Sequence, residues 1–100
     1  VAGSGPAYFF EFMDSLAKAA TELGFDAEKA RAMVQQTCLG AAQMAKESEL
    51  SLEDLRKQVT SKGGSTAKGV EAYQDSDLHG ISEKAVKAAV NRNQEMAKLF

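Results

Sequence analysis

The sequence predicts an all-α domain, a bundle of about five helices, and three observations carry that reading. The single proline, Pro6, stands near the start. The rest of the chain is rich in Ala, Leu, Met, Glu, Lys and Gln, the residues that favour helix. Val, Ile, Tyr and Thr never gather into an alternating run of strand length, so no sheet is expected. At 100 residues the chain makes one domain at most, and 44% hydrophobic residues are enough for a core.

The first helix is expected from about Pro6 to Leu23. Ser4 is its N-cap, proline suits the first turn, and Gly24 closes it. Its apolar positions, from Tyr8, Phe9, Phe10, Phe12 and Met13 to Leu16 and Leu23, are wider than a single stripe and ask for burial on more than one side. The second helix is expected over about Ala27–Glu47, with Asp26 as cap and Ala30, Val34, Thr37, Cys38, Ala41, Met44 and Ala45 at 3–4 spacing. It would be roughly 30 Å long. That is long for a 100-residue globule, whose radius of gyration is about 13 Å, so this helix protrudes or packs on a second chain. A third, short helix over Leu52–Val59 is capped by Ser51 with Asp54 three residues on. A fourth follows over about Thr66–Gln74. The fifth spans about Asp77–Leu99, with Ile81, Ala85, Val86, Ala88, Ala89, Val90, Met96 and Leu99 on its apolar side. The broad first helix and the long second one together predict a homodimer, interleaved through its helices.

Composition removes several classes of function. Net charge is −2 and the basic residues are scattered, so nucleic acid is not an expected partner. No apolar run approaches the ~18–20 residues that span a bilayer, and no stretch reads as a signal peptide. Cys38 is the one cysteine, so an internal disulfide is impossible and a reducing, cytoplasmic setting is expected. The chain begins Val1-Ala2-Gly3, without Met, and is expected to be a piece of a longer protein cut at a domain boundary.

The stretch with chemistry in it is Thr60-Ser61-Lys62-Gly63-Gly64-Ser65-Thr66, between the third and fourth helices. Glycines allow positive φ and close approach of a ligand to the backbone. The amides that open the fourth helix lack intrahelical partners and, with the helix dipole, suit a carboxylate or phosphate. Lys62 adds charge. The same residues also suit a plain interhelical turn with a Ser/Thr cap.

The order of residues adds weight to the first alternative. Val59-Thr60-Ser61-Lys62-Gly63-Gly64-Ser65-Thr66-Ala67-Lys68-Gly69 resembles the V-T-S-P-G-G-T-T-x-x-G/A signature of the pyrroline-5-carboxylate reductases. Gly3-Ser4-Gly5-Pro6-Ala7-Tyr8 is similar to the S-G-S-G-P-A-Y that opens the C-terminal domain of that family. Thr37-Cys38-Leu39-Gly40-Ala41-Ala42-Gln43-Met44 is similar to its T-x-L-G-A-A-K-M. The resemblance covers all 100 residues. It departs at Lys62, where the family usually has proline. Lysine loosens the turn and makes it more positive.

The resemblance implies the helical, dimerising half of an enzyme that reduces 1-pyrroline-5-carboxylate to L-proline with NADH or NADPH. The nucleotide would be bound mainly by an N-terminal Rossmann domain. This chain carries no strand followed by G-x-G-x-x-G, so alone it is expected to be inactive. Carried over by position, Ser61, Gly63, Gly64, Ser65 and Thr66 hold the substrate carboxylate, and the Thr66 hydroxyl lies near the ring nitrogen, as a catalytic residue. Glu49 falls near the nicotinamide and Gln58 on the cofactor side of the cleft. By itself Glu49 reads as a solvated residue at a helix end. The resemblance implies a homodimer and leaves open a higher oligomer of dimers. Two other readings stay open: a non-catalytic helical dimerisation module, or the equivalent domain of another imine or keto-acid reductase.

No metal site is expected. His79 is the only histidine, and its neighbours Asp75 and Asp77 do not complete a ligand set. Cys38 reads as a buried core thiol with no activating neighbour. Glu47 and Glu49, like Asp75 and Asp77, are two apart and do not face each other on a helix.

Overall fold

In a computed structural model of the chain, which describes residues 3–99, five helices follow one another: α1 (Gly5–Glu22), α2 (Ala27–Glu47), α3 (Leu52–Gln58), α4 (Ser65–Asp75) and α5 (Leu78–Leu99). No strand occurs among the described residues. The chain divides within α3 into two units, Val1–Leu55 and Arg56–Phe100.

The first unit is built on α1 packed against α2. Pro6 stands in the first turn of α1, where its missing N–H costs nothing. Ser4 occupies the N-cap position, but its side chain makes no capping bond. Its backbone is already helical (φ −93°, ψ −20°), which turns the hydroxyl away from the amides it was expected to satisfy. The other end of α1 behaves as the sequence predicts. Gly24 adopts φ +107°, its N–H donates to Thr21 O at 3.0 Å, and the N–H of Phe25 donates to Ala20 O at 3.2 Å. This pair of bonds is a Schellman closure, which reverses the chain into α2 within four residues. Asp26 then caps α2, its carboxylate accepting from the Lys29 N–H at 3.2 Å. At the start of α3, Ser51 Oγ accepts from the Asp54 N–H at 3.0 Å.

The second unit consists of the end of α3, the 59–64 turn, α4 and α5. The corner between α4 and α5 shifts the start of α5 by one residue from expectation. Asp77 is not in the helix but caps it, with φ +58° and Oδ1 accepting from the Gly80 N–H at 3.2 Å. A Cβ at Gly80 would run into that carboxylate.

The apolar side chains expected to form a core are mostly exposed in the single chain. Ala30 is the one buried hydrophobic residue among those described. Phe9 and Phe10 are 64% and 67% exposed, and Leu39 is 62% exposed. Cys38, expected to be buried, is only half-buried. The side chain of Leu99, expected on the apolar side of α5, lies outside the described residues. Surface ion pairs such as Asp14–Lys18 and Glu83–Lys87, both at 2.8 Å, do not substitute for a core. Exposed pairs of this kind contribute about 0–1 kcal/mol.

Replacing Asp26 by Ala removes a used N-cap and is expected to lower stability by about 1 kcal/mol. The same change at Ser4 (Ser4→Ala) is expected to be near neutral, since no capping bond is lost. Urea denaturation of the two variants at equal protein concentration checks the contrast.

Candidate functional site

The turn between α3 and α4 is held by backbone bonds that leave its outer groups free. The Thr60 N–H donates to Lys57 O at 3.2 Å, and the Thr60 hydroxyl donates to Arg56 O. Thr60 is thus spent on ending α3, and its hydroxyl faces back toward that helix. The Gly64 N–H donates to Ser61 O at 3.1 Å, which closes a tight turn over Lys62 and Gly63.

The two glycines serve different needs. Gly63 has φ +74°, the left-handed region that costs an ordinary L-residue about 1–2 kcal/mol. Gly64 has an unremarkable φ of −82°, but a Cβ there would stand 2.5 Å from Ser61 Oγ and 3.4 Å from Ser61 O. Gly63 is favoured by backbone hand, whereas a Cβ at Gly64 would only require the Ser61 hydroxyl, at the end of an exposed side chain, to turn away.

Gly64 is the N-cap of α4, and no side chain caps the helix. Helix α4 starts at Ser65, one residue before the predicted start, so Thr66 lies in its first turn rather than at the cap. The first amide to bond back into the helix is that of Lys68, to Gly64 O at 3.3 Å. The N–H groups of Ser65, Thr66 and Ala67 therefore open outward at the positive end of the helix dipole, with no acidic residue in the first turn to offset it. Ser61, Lys62, Gly63, Ser65 and Thr66 are all exposed, and Gly64 is half-buried. A carboxylate placed there gains amide donors, two neighbouring hydroxyls and a cation.

The remaining expected residues stand apart from the turn in sequence. Gln58 is the last residue of α3 and is exposed. Glu49 lies in the first unit, in the link between α2 and α3, and is exposed. That link is held by a Ser48 hydroxyl that accepts from the Leu50 N–H at 3.0 Å, which carries the backbone around Glu49. His79 is exposed, and no cluster among the described residues could hold a metal ion.

Sequence reasoning missed the groove beside the turn. Arg56, Lys57 and Thr60 from the α3 side and Ala67, Val70, Glu71 and Gln74 from α4 line a shallow space of about 330 Å³. Its signal was present in the 3–4 spacing of Ala67, Val70, Glu71 and Gln74, which places them on one face of α4.

Gly64→Ala is expected to destabilise the chain by about 1 kcal/mol or less, because the Ser61 hydroxyl must turn to another rotamer to make room. Combining it with Ser61→Ala, which removes that oxygen, should recover part of the loss. A double-mutant cycle by denaturation measures the coupling. Additive losses would mean that the glycine answers to something other than the Ser61 side chain.

Comparison with known proteins agrees with this architecture. The family model described as pyrroline-5-carboxylate reductase dimerisation matches residues 1–96. The pyrroline-5-carboxylate reductase of Vibrio alginolyticus is 50% identical over 100 residues, covering 99% of this chain and 37% of that protein. That of Pasteurella multocida is 44% identical over 99 residues, covering 98% and 36%. The chain thus spans little more than a third of the length of these relatives. Among solved structures, a pyrroline-5-carboxylate reductase from Coxiella burnetii superposes with a TM-score of 0.89 at 46% identity, covering 92% of this chain and 34% of that one. The Plasmodium falciparum pyrroline carboxylate reductase, solved with NADP bound, gives 0.84 at 33% identity, covering 87% and 33%. By fold and by sequence, the chain belongs to the pyrroline-5-carboxylate reductase dimerisation family.

Proposed function

We propose that this chain is the dimerisation and substrate-loop part of a pyrroline-5-carboxylate reductase. The whole protein would reduce 1-pyrroline-5-carboxylate to L-proline with NADH or NADPH, in proline biosynthesis. The observation that carries the reading is the uncapped amino end of α4, opened by Gly63 and Gly64, in a chain of this family.

In this reading the amides of Ser65 and Thr66, with the hydroxyls of Ser61 and Ser65, hold the substrate carboxylate, and Gly63 and Gly64 let it approach the backbone. Lys62 adds long-range attraction for the anion, which falls with ionic strength. The Thr66 hydroxyl donates to the ring nitrogen. A hydrogen bond there draws electron density from the C=N carbon, and fixing both ends of the ring sets the face that is attacked. Among the described residues there is no strand, and so no strand–turn–helix motif for a dinucleotide. In this reading the nucleotide is held mainly outside this chain. A bound nicotinamide would supply the hydride, and Glu49 and Gln58 would contribute to its side of the cleft.

The partner is a second copy of the chain, since apolar faces of α1, α2 and α5 lack cover in one copy. Larger assemblies of dimers fit the same reading. No described helix is long and apolar enough to cross a membrane, and the scattered charge gives nucleic acid no stripe to follow. A cytoplasmic place completes the proposal.

In the full-length enzyme, Thr66→Ala is expected to lower kcat/KM at least tenfold, about 1.4 kcal/mol of transition-state stabilisation. Steady-state kinetics on a variant with wild-type dimer mass test it. Unchanged kinetics would remove Thr66 from the chemistry. Separately, titrating L-proline into this chain as a carboxylate analogue should move amide resonances confined to residues 60–66. Shifts elsewhere, with none in the turn, would favour a dimerisation module whose glycine turn is only a turn.

A further inference from the structure

We infer that Arg56 and Lys62 are capture residues: they draw a small carboxylate toward the amino end of α4 and speed its arrival at the turn, without taking part in the chemical step. This rests on the carboxylate reading above and adds to it how the anion gets there.

The residues around the turn carry charge of one sign. Positions 55–70 contain four basic residues, Arg56, Lys57, Lys62 and Lys68, and no acidic one. The rest of the chain holds eight basic residues against fourteen acidic ones, so this stretch is opposite in sign to the chain as a whole. It runs from the end of α3 through the turn into α4. Glu71, the next acidic residue, is engaged with Lys68 at 3.8 Å. Arg56 and Lys62 are exposed and form no ion pair among the described residues. Arg56 stands on the α3 side of the shallow groove, whose lining also includes Thr60, the first residue of the turn, and Ala67, the residue after Thr66. The groove therefore adjoins the outward-facing amides, and Lys62 stands on the turn itself.

The geometry of the turn says what a lysine does there. The bond from the Gly64 N–H to Ser61 O spans Lys62 and Gly63. Gly63 has φ +74°, and Asp77 is the only non-glycine of positive φ among the described residues. This is the pattern of a type II turn with Lys62 as its second residue, a place that proline suits. The Lys62 N–H enters no hydrogen bond among the described residues, so proline would forfeit none. Lysine thus does nothing for the shape of the turn that proline would not do as well, and what it contributes is charge. A unit charge about 5–10 Å from a carboxylate in water changes the local concentration of that anion about two- to fourfold. The effect fades as the Debye length falls from about 30 Å at 0.01 M salt to about 3 Å at 1 M.

Steady-state kinetics of the full-length enzyme, with nucleotide saturating and 1-pyrroline-5-carboxylate varied at low and high salt, test the inference. Arg56→Gln and Lys62→Gln should each lower kcat/KM about two- to fourfold at low salt. The loss should lie in KM, with kcat unchanged, and the double variant should lose more than either. Parent and variants should converge at about 1 M salt, where the attraction is screened. Lys62→Arg should keep the parent's salt dependence, and Lys62→Pro should lose as much of it as Lys62→Gln. A parental salt dependence in the double variant would overturn the inference, and so would a loss confined to kcat. So would kinetics that change with Lys62→Pro but not with Lys62→Gln, since position 62 would then set the stiffness of the turn and not its charge. Failure of the carboxylate reading itself shows separately, because Thr66→Ala would then leave the kinetics unchanged.

Discussion

The constraint on which the rest of the structure depends is an excess of apolar helix surface over what one copy can cover. Helix α1 places aromatic side chains around more than one face, and α2 is too long to be enclosed by its own chain. Packing α1 on α2 buries Ala30 fully and leaves Met13, Leu16, Ala17, Ala20 and Val34 half-buried. The hydrophobic effect scales with the area removed from water, so much of the main stabilising term is unrealised in a single copy. Local devices fix the elements: the Schellman closure at Gly24, the Asp26 and Ser51 caps, and the Asp77 corner. They decide where helices begin and end. They do not hold helices against one another.

This division explains what could be read from the sequence. Helix boundaries came out within a residue because they are set by short-range chemistry that the sequence spells out. Asp26 ahead of an apolar-periodic run and Gly24 after one are such signals. The misses were local competitions. Ser4 has the right side chain for a cap but sits in a backbone already wound into the helix. Asp77 looked like the first helical residue and is the cap, because its carboxylate reaches the Gly80 amide instead. Burial was far less legible. Cys38 was assigned to a core by its spacing, and spacing reports which face is apolar, not how completely it is covered.

The candidate site was legible for a different reason. The turn from Thr60 to Thr66 is defined by residue types whose backbone behaviour is nearly forced, so composition and order alone located it. The division of labour inside it was not visible. Nothing in two adjacent glycines says that one answers to φ and the other to the Ser61 hydroxyl. Nor does the sequence say that Thr60, the first hydroxyl of the run, is turned back to end α3. What remains facing outward is an arc of amides and hydroxyls at a helix end bare of acidic residues.

The corner between α4 and α5 carries a consequence for how such a sequence can drift. Asp77 holds a left-handed backbone that few side chains tolerate, and its carboxylate occupies the space where a Cβ at position 80 would go. The two positions are therefore coupled through one volume. A side chain at position 80 requires that carboxylate to swing away from the Gly80 amide, and losing the carboxylate leaves the cap empty. Asparagine at 77, which tolerates the same backbone and can still accept from an amide, is the one inexpensive exit. Across descendants of this chain, a side chain at position 80 should come with a rearranged cap at position 77.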